Sequence, residues 1–284
     1  MTNKGYNNLG LDEFLLSALR EDIGTGDVTT NCCVPEDAIS KGAFTAKEPG
    51  VICGIGVAVR TFELLDPGVK ITPKVSDGQR VNAGDIIAEI TGNSRSILTG
   101  ERTALNLMQH MSGVATRAAQ AVESIRGTKA KIVDTRKTTP GLRVLDKYAV
   151  RCGGGSNHRF GLSDGVLIKD NHIAAAGGIT RAIELARANC PQTLKIEVET
   201  ESLAQVEEAL AAKADVIMLD NMPPAMMAEA VKLMSGRAQA EASGNMGDLD
   251  ESGLKTVAET GVDFISIGAL THSVKALDIS LKFA

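Results

Sequence analysis

Four cations, Arg136, Lys137, Arg159 and Lys169, and two acids, Glu199 and Asp220, carry the chemistry this sequence offers. Each stands at or near the point where a short apolar run stops. Ile132-Val133 stops at Asp134-Thr135-Arg136-Lys137, and Val166-Leu167-Ile168 stops at Lys169-Asp170-Asn171-His172. Arginine suits bidentate contacts with carboxylate or phosphate, and lysine supplies a point charge to phosphate. The stretch Lys131–His172 carries a net charge of +4 inside a chain whose net charge is −5. A positive pocket in an acidic protein points to a small, multiply charged anion rather than to nucleic acid. His158, beside Arg159, is the one histidine read as functional. His172 and His272 are expected at loop positions and His110 on a helix, and no spacing suggests a zinc site.

Glu199 and Asp220 end neighbouring runs. Facing one cavity, they can bind sugar hydroxyls, ligate a Mg²⁺ that carries phosphate, or divide an acid/base task. Glu197 points the same way as Glu199, and Glu199, nearer the strand end, is preferred. Ser243-Gly244 and Gly268, at the ends of later runs, fit a backbone cradle for phosphate. Lys169 also has the placement of a Schiff-base lysine, which is a rival reading. The crowd of cations around it speaks for anion binding without a covalent step.

The elements that must position these residues follow a rhythm. Apolar runs recur at 132–133, 166–168, 194–198, 216–219, 238–242 and 264–267, with helical patterns between them, as at Thr180–Ala188 and Leu203–Ala212. Strands alternating with helices predict a parallel sheet of βαβ units, whose site lies at the carboxyl ends of the strands. Six runs fall short of a closed eight-stranded barrel, so the expectation is an open, incomplete parallel α/β barrel.

The N-terminal part has another texture. Leu11, Phe14, Leu15 and Leu19 have helical spacing, and Gly24, Gly26 and Asp27 end that helix. Short apolar segments with the turns Pro67-Gly68 and Asp77-Gly78 then predict a small α/β layer, with a short helix over Thr61–Leu65. Val75–Gly78 and Gly84–Ala88 resemble half of a biotinyl or lipoyl carrier, a non-enzyme rival. Asn93-Ser94-Arg95-Ser96 offers no lysine for acylation and weakens that reading. A long helix is predicted from Gly100, with Leu105, Met108 and Met111 facing the core and an interruption at Ser112-Gly113. The domains are therefore drawn as 1–112, an α/β sandwich, and 113–284, the barrel, with the last residues free to return to the first domain. Arg102 reads as a cation in the first turn of that helix, opposing the macrodipole. It is either paired with Glu101 or held out for an anionic ligand.

Composition sets the outer bounds. No Trp, two Tyr and six Phe in 284 residues argue against a stacking platform for single-stranded nucleic acid. Five cysteines without a ligand or framework spacing are expected to be structural thiols in a reducing cytoplasm. No signal-peptide core and no run of membrane-spanning length is expected.

Taken together, the motifs resemble the quinolinate phosphoribosyltransferase family. They are Glu21-Asp22-Ile23-Gly24 with Gly26-Asp27, Gly100-Glu101-Arg102, Asp134-Thr135-Arg136-Lys137-Thr138, Asn157-His158-Arg159, Lys169-Asp170-Asn171-His172, Glu197-Val198-Glu199, Leu219-Asp220-Asn221, Glu241-Ala242-Ser243-Gly244 and Ser266-Ile267-Gly268. Asn245 departs from the pattern, since a second glycine is common there. The resemblance implies an N-terminal α/β sandwich, an open seven-stranded barrel and a homodimer, or a higher oligomer, with shared sites. It implies transfer of phosphoribose from phosphoribosyl pyrophosphate to quinolinate with loss of CO₂, in NAD biosynthesis. Arg136, His158, Arg159 and Lys169, with Arg102 of a partner chain, are then expected on quinolinate, and Thr135 is expected among the substrate-binding residues. Lys137, Glu199 and Asp220 are expected to do the catalytic work, with Mg²⁺ carried by pyrophosphate and no direct protein ligand assigned. Ser243, Gly244, Asn245 and Gly268 are expected on the 5′-phosphate. Alternatives are a nicotinate phosphoribosyltransferase, which the extra cations disfavour, and a molybdenum-transport-associated paralogue, which lacks the Lys-Asp-Asn-His run.

Overall fold

The computed structural model describes residues 10–284. In chain order the elements are α1 (Leu11–Ile23), α2 (Val28–Cys33), β1 (Ile39–Ala46), β2 (Gly50–Val51), α3 (Ile55–Leu65), β3 (Lys70–Pro73), β4 (Arg80–Val81), β5 (Ile86–Asn93) and α4 (Ser94–Ser124). There follow β6 (Lys131–Val133), α5 (Arg143–Cys152), β7 (Val166–Ile168), α6 (Asp170–Ala176), α7 (Ile179–Asn189), β8 (Ile196–Thr200), α8 (Leu203–Ala211) and β9 (Val216–Asp220). The chain ends with α9 (Pro224–Met234), β10 (Gln239–Ser243), α10 (Glu251–Glu259), β11 (Phe264–Ser266), α11 (Ala269–His272) and β12 (Ile279–Phe283). Two compact units result. Among the described residues, one holds 10–119, 139–154 and 273–284, and the other holds 120–138 and 155–272.

The first unit is built on an antiparallel sheet of order β12-β1-β5-β3. Alternation along β1 turns Phe44 and Ala46 inward, where they meet Ile52, Phe62, Ile87, Ile90, Ile97, Leu105 and Met108. Burying an aromatic such as Phe44 contributes roughly 1.5–3 kcal/mol. The final strand β12 pairs with β1 and adds Ile279 and Leu281 to this core. Helix α5 also belongs to this unit, although its sequence lies between two barrel strands.

Two local expectations are corrected here. Asp27 does more than end α1. Its carboxylate accepts the Thr30 N–H at 3.0 Å and so caps a further short helix, α2. The long helix α4 starts at Ser94, where Asn93 Oδ1 accepts the N–H groups of Arg95 and Ser96, and it runs unbroken through Ser112-Gly113. Gly113 is there for close approach: a Cβ would collide with the Lys275 carbonyl oxygen. Ser112 Oγ bonds both backbone groups of Cys53, at 2.9 and 3.1 Å. Arg102 therefore sits in the third turn, clear of the helix start, and is exposed with no ion pair among the described residues. The carrier-like segment is likewise explained by packing, since Asp77 caps the start of α3 through the Gly54 and Ile55 N–H groups.

The second unit is a parallel sheet of order β6-β11-β10-β9-β8-β7. Its central strands β8, β9 and β10 are buried almost throughout, the pattern of strands covered on both faces. Helices α7 to α10 turn Ile183, Val206, Met227 and Leu254 inward, each almost fully buried. The sheet is open, with β6 and β7 as edges. Where the family resemblance implied a seventh strand, Ser156 makes a single parallel bridge with Val133. Its N–H reaches the Ile132 carbonyl at 2.8 Å, and its carbonyl takes the Asp134 N–H at 3.3 Å. No helix among the described residues is long and apolar enough to cross a membrane.

Candidate active site

Every strand of the parallel sheet has at least one expected residue at or just beyond its carboxyl end. Beyond β6 the chain turns sharply. Thr135 Oγ1 accepts the Lys137 N–H at 3.0 Å, and the Lys137 carbonyl takes the Thr271 hydroxyl at 2.8 Å. Arg136 and Lys137 are thereby left exposed. The Lys137 stem lies over Gly268, where a Cβ would stand 2.9 Å from its Cδ. The glycine after β11 thus leaves room for the stem of the lysine that follows β6, the neighbouring strand.

Lys169 follows β7 and Glu199 lies in β8. The Lys169 ammonium is 3.1 Å from Glu199 Oε2. This amine is held by an ion pair. His172, expected in a loop, lies in the first turn of α6, and its Nδ1 accepts the Lys169 N–H at 3.0 Å. His272 likewise closes α11, and His110 lies on α4, with Nε2 2.7 Å from Asp146.

Asp220 ends β9 in register with Ser243 of β10. The next residues interlock. Asn221 N–H donates to the Ser243 carbonyl at 3.0 Å, and both Asn221 and Asn245 adopt left-handed φ, 53° and 51°. Gly244, with φ 89°, passes so close to the Asn221 side chain that any Cβ would collide with it. Asparagine tolerates a left-handed backbone better than most residues. The departure at Asn245 therefore keeps the loop's shape while adding a side-chain amide, 3.4 Å from Asn221 Oδ1.

His158 and Arg159 reach the sheet from the loop that follows α5. Buried Asp134 anchors them, taking the His158 N–H at 3.0 Å on one carboxylate oxygen and the Asn157 amide on the other. The His158 Nδ1 accepts the Arg159 N–H at 2.7 Å, which leaves Nε2 to donate toward Glu197 Oε2 at 3.0 Å, with Glu241 Oε2 at 3.5 Å. Both ring nitrogens are thus committed inside the chain. His158 acts from beneath as a support for Arg159. Arg159 donates to the Gly165 carbonyl at 2.9 Å, and its Nε is buried without a partner. Burial, then the nearby Arg136, pulls the Arg159 guanidinium below its usual range. Two guanidinium groups that repel each other in this way can be relieved by an anion between them.

Glu197 and Glu241 were not singled out for a role at this depth. Glu241 is 2 % exposed, and burial followed by the charge of Glu197 pushes its carboxyl up to about 8. Their signal in the sequence was an acid inside an otherwise apolar strand, at 197 within β8 and at 241 within β10. A cavity of about 330 Å³ lies against His158, Arg159, Glu197 and Glu241, walled by Val133, Val166 and Phe264 among others.

Residues 27–112 match the N-terminal domain of quinolinate phosphoribosyl transferase, and residues 114–282 match its C-terminal domain. A probable nicotinate-nucleotide pyrophosphorylase (carboxylating) of Bacillus subtilis is 46 % identical over 275 residues, 97 % of this chain and 94 % of the relative. The nicotinate-nucleotide pyrophosphorylase (carboxylating) of Mycobacterium leprae is 45 % identical over 267 residues, 93 % of this chain and 94 % of the relative. The crystal structure of NadC from Streptococcus pyogenes superposes with a TM-score of 0.92 at 45 % identity, covering 98 % of this chain and 99 % of that one. With both domain models matched and these relatives aligned nearly end to end, the chain belongs to the quinolinate phosphoribosyl transferase family.

Proposed function

We propose that this chain transfers the phosphoribosyl group of phosphoribosyl pyrophosphate to the ring nitrogen of quinolinate and releases pyrophosphate, CO₂ and nicotinate mononucleotide. The observation that carries the substrate assignment is the run of cations Arg136, Arg159 and Lys169 beyond β6, in the loop before β7 and beyond β7, with Arg136 close enough to weigh on Arg159. A dicarboxylate answers that charge better than a monocarboxylate. Arg136, Arg159 and Lys169 hold the two carboxylates, Thr135 and His158 fix the loops behind them, and Arg102 is supplied by the partner chain of a homodimer.

Phosphoribosyl pyrophosphate lies along the later strands, its 5′-phosphate on the backbone of Ser243, Gly244, Asn245 and Gly268. Lys137, folded over Gly268, meets the pyrophosphate, and Glu199 and Asp220 meet the ribose hydroxyls. These two carboxylates stand at the last residue of β9 and one residue before the end of its neighbour β8, and they are hard oxygen donors, the type Mg²⁺ accepts alongside water and substrate phosphate. When bound there, Mg²⁺ neutralises charge on the pyrophosphate. The chain's own residues orient the ring nitrogen toward the sugar carbon and stabilise charge as the leaving group departs. Ribosylation leaves the ring nitrogen positive beside the 2-carboxylate, and that nitrogen accepts the electron pair as CO₂ is lost. The five free cysteines suit work in a reducing cytoplasm.

The division of roles is testable by calorimetry. Arg159→Ala removes a contact to a charged group, worth about 1.5–3 kcal/mol, and should weaken quinolinate binding by that amount. Lys137→Ala should leave quinolinate affinity near wild type while slowing the reaction and weakening phosphoribosyl pyrophosphate. Unchanged quinolinate affinity in Arg159→Ala would refute the assignment.

A further inference from the structure

Away from the strand-end site, three side chains of the first unit converge: Cys53, Asp77 and Cys152. Their ligand atoms all lie within 4.8 Å of one another. Cys53 follows β2 and is fully buried, while Cys152, the last residue of α5, is half-buried. The acid of the trio is already committed. Asp77 Oδ1 accepts the Gly54 and Ile55 N–H groups at 3.1 Å each, and Oδ2 accepts the Tyr148 hydroxyl at 3.0 Å. Asp77 ties α3 to α5 and is spoken for as a cap, so the cluster reads as two thiols rather than as a metal cage.

The backbone on both sides of the thiol pair is pinned. Ser112 Oγ holds the N–H and the carbonyl of Cys53. Gly78 lies against the Cys152 carbonyl, where a Cβ would stand 3.2 Å from its oxygen, and Gly153 lies against the backbone of Ala115. Two sulfurs distant in sequence are thus held within 4.8 Å of each other and in hydrogen-bond contact, against a disulfide bond length of about 2.05 Å.

We propose that Cys53 and Cys152 are a peroxide-reactive dithiol that closes to a disulfide, a covalent modification site in the first unit. The hydrogen bond from Cys53 lowers the Cys152 thiol, with Tyr148 adding to it, whereas burial pushes Cys53 well up. The partly exposed Cys152 is therefore the attacking thiolate. Its sulfur attacks one oxygen of hydrogen peroxide, the O–O bond breaks, hydroxide leaves, and Cys152 becomes a sulfenic acid. The Cys53 sulfur then attacks the Cys152 sulfur. The sulfenic oxygen departs with the Cys53 proton as water, and peroxide has taken the two electrons. Cys53 needs no solvent access, because its target is already beside it. The bond ties the corner before α3 to the end of α5, the helix that lies in sequence between Arg136-Lys137 and His158-Arg159. Nothing in this proposal rests on the substrate assignment.

The test uses the full chain with Cys32, Cys33 and Cys190 changed to Ser, treated with hydrogen peroxide and mapped without reduction. The expected product is lighter by two hydrogens, contains a peptide linking Cys53 to Cys152, and returns to the starting mass with dithiothreitol. Adding Cys53→Ser should arrest the reaction at the sulfenic acid, captured by dimedone on Cys152. Oxidation of Cys152 to higher acids with no linked peptide, or dimedone on Cys53 in a Cys152→Ser chain with Cys152 never labelled, overturns the proposal. Should the multiple variant fail to fold, the same mapping of the wild-type chain decides. A Cys53–Cys152 link supports the pair, and linkage elsewhere with these two reduced refutes it.

Discussion

The Lys169 ammonium and the Glu199 carboxylate stand 3.1 Å apart, bridging the ends of the neighbouring strands β7 and β8. The pair joins the two halves of the proposed site, one cation meant for quinolinate and one acid meant for ribose. Lys169 is 47 % exposed on its side chain, so the pair adds at most about 1 kcal/mol to stability. Its value lies in placement. Lys169→Ala should weaken quinolinate by roughly tenfold to a hundredfold, the scale of a lost contact to a charged group. Glu199→Gln should bind quinolinate nearly normally and lose turnover. Urea midpoints of both variants should stay close to wild type. A large stability loss with intact quinolinate affinity in Lys169→Ala would show the pair to be structural.

Glu241 gives the fold a pH signature. Its carboxyl is raised from 4.5 to about 8 by burial and by Glu197. The folded chain therefore holds a proton that the unfolded chain has released between those values, and stability falls as pH rises through that window. Below 4.5 both states are protonated, so the contribution is fully present there. Glu241→Gln removes the titration. Unfolding free energies from urea curves between pH 5 and pH 8 should fall in wild type relative to Glu241→Gln, by an amount on the order of a few kcal/mol. Parallel curves would mean Glu241 is ionised throughout.

Arg102 tests the shared site. If each site of a two-fold dimer takes Arg102 from one chain and Lys137 from the other, Arg102→Ala and Lys137→Ala homodimers are both nearly inactive. Mixed with subunit exchange, about half of the dimers are hybrids with one intact site, and activity should recover to about a quarter of wild type. With exchange demonstrated by differently tagged chains, absence of recovery would contradict a shared site.

Much of this was legible in the sequence, for identifiable reasons. Parallel strands buried on both faces are short apolar runs, and Asp134, Lys169, Glu199, Asp220 and Ser243 mark the carboxyl ends of those runs. What escaped depends on contacts between distant segments. Gly113 reads as a helix break until the Lys275 carbonyl is seen against it. Arg102 reads as an ill-placed first-turn cation until Asn93 is seen to cap α4 two turns earlier. Local pattern does not reveal that α5 joins the first unit, nor that Glu197 and Glu241 meet under His158. An acid in a strand shows its face but not its partner.

The most direct measurement is turnover of quinolinate against nicotinate by the purified chain with phosphoribosyl pyrophosphate and Mg²⁺. The grouping of Arg136, Arg159 and Lys169 predicts rapid formation of nicotinate mononucleotide with one CO₂ from quinolinate, and almost none from nicotinate. Equal rates on the two substrates, or product without CO₂ release from quinolinate, would contradict it.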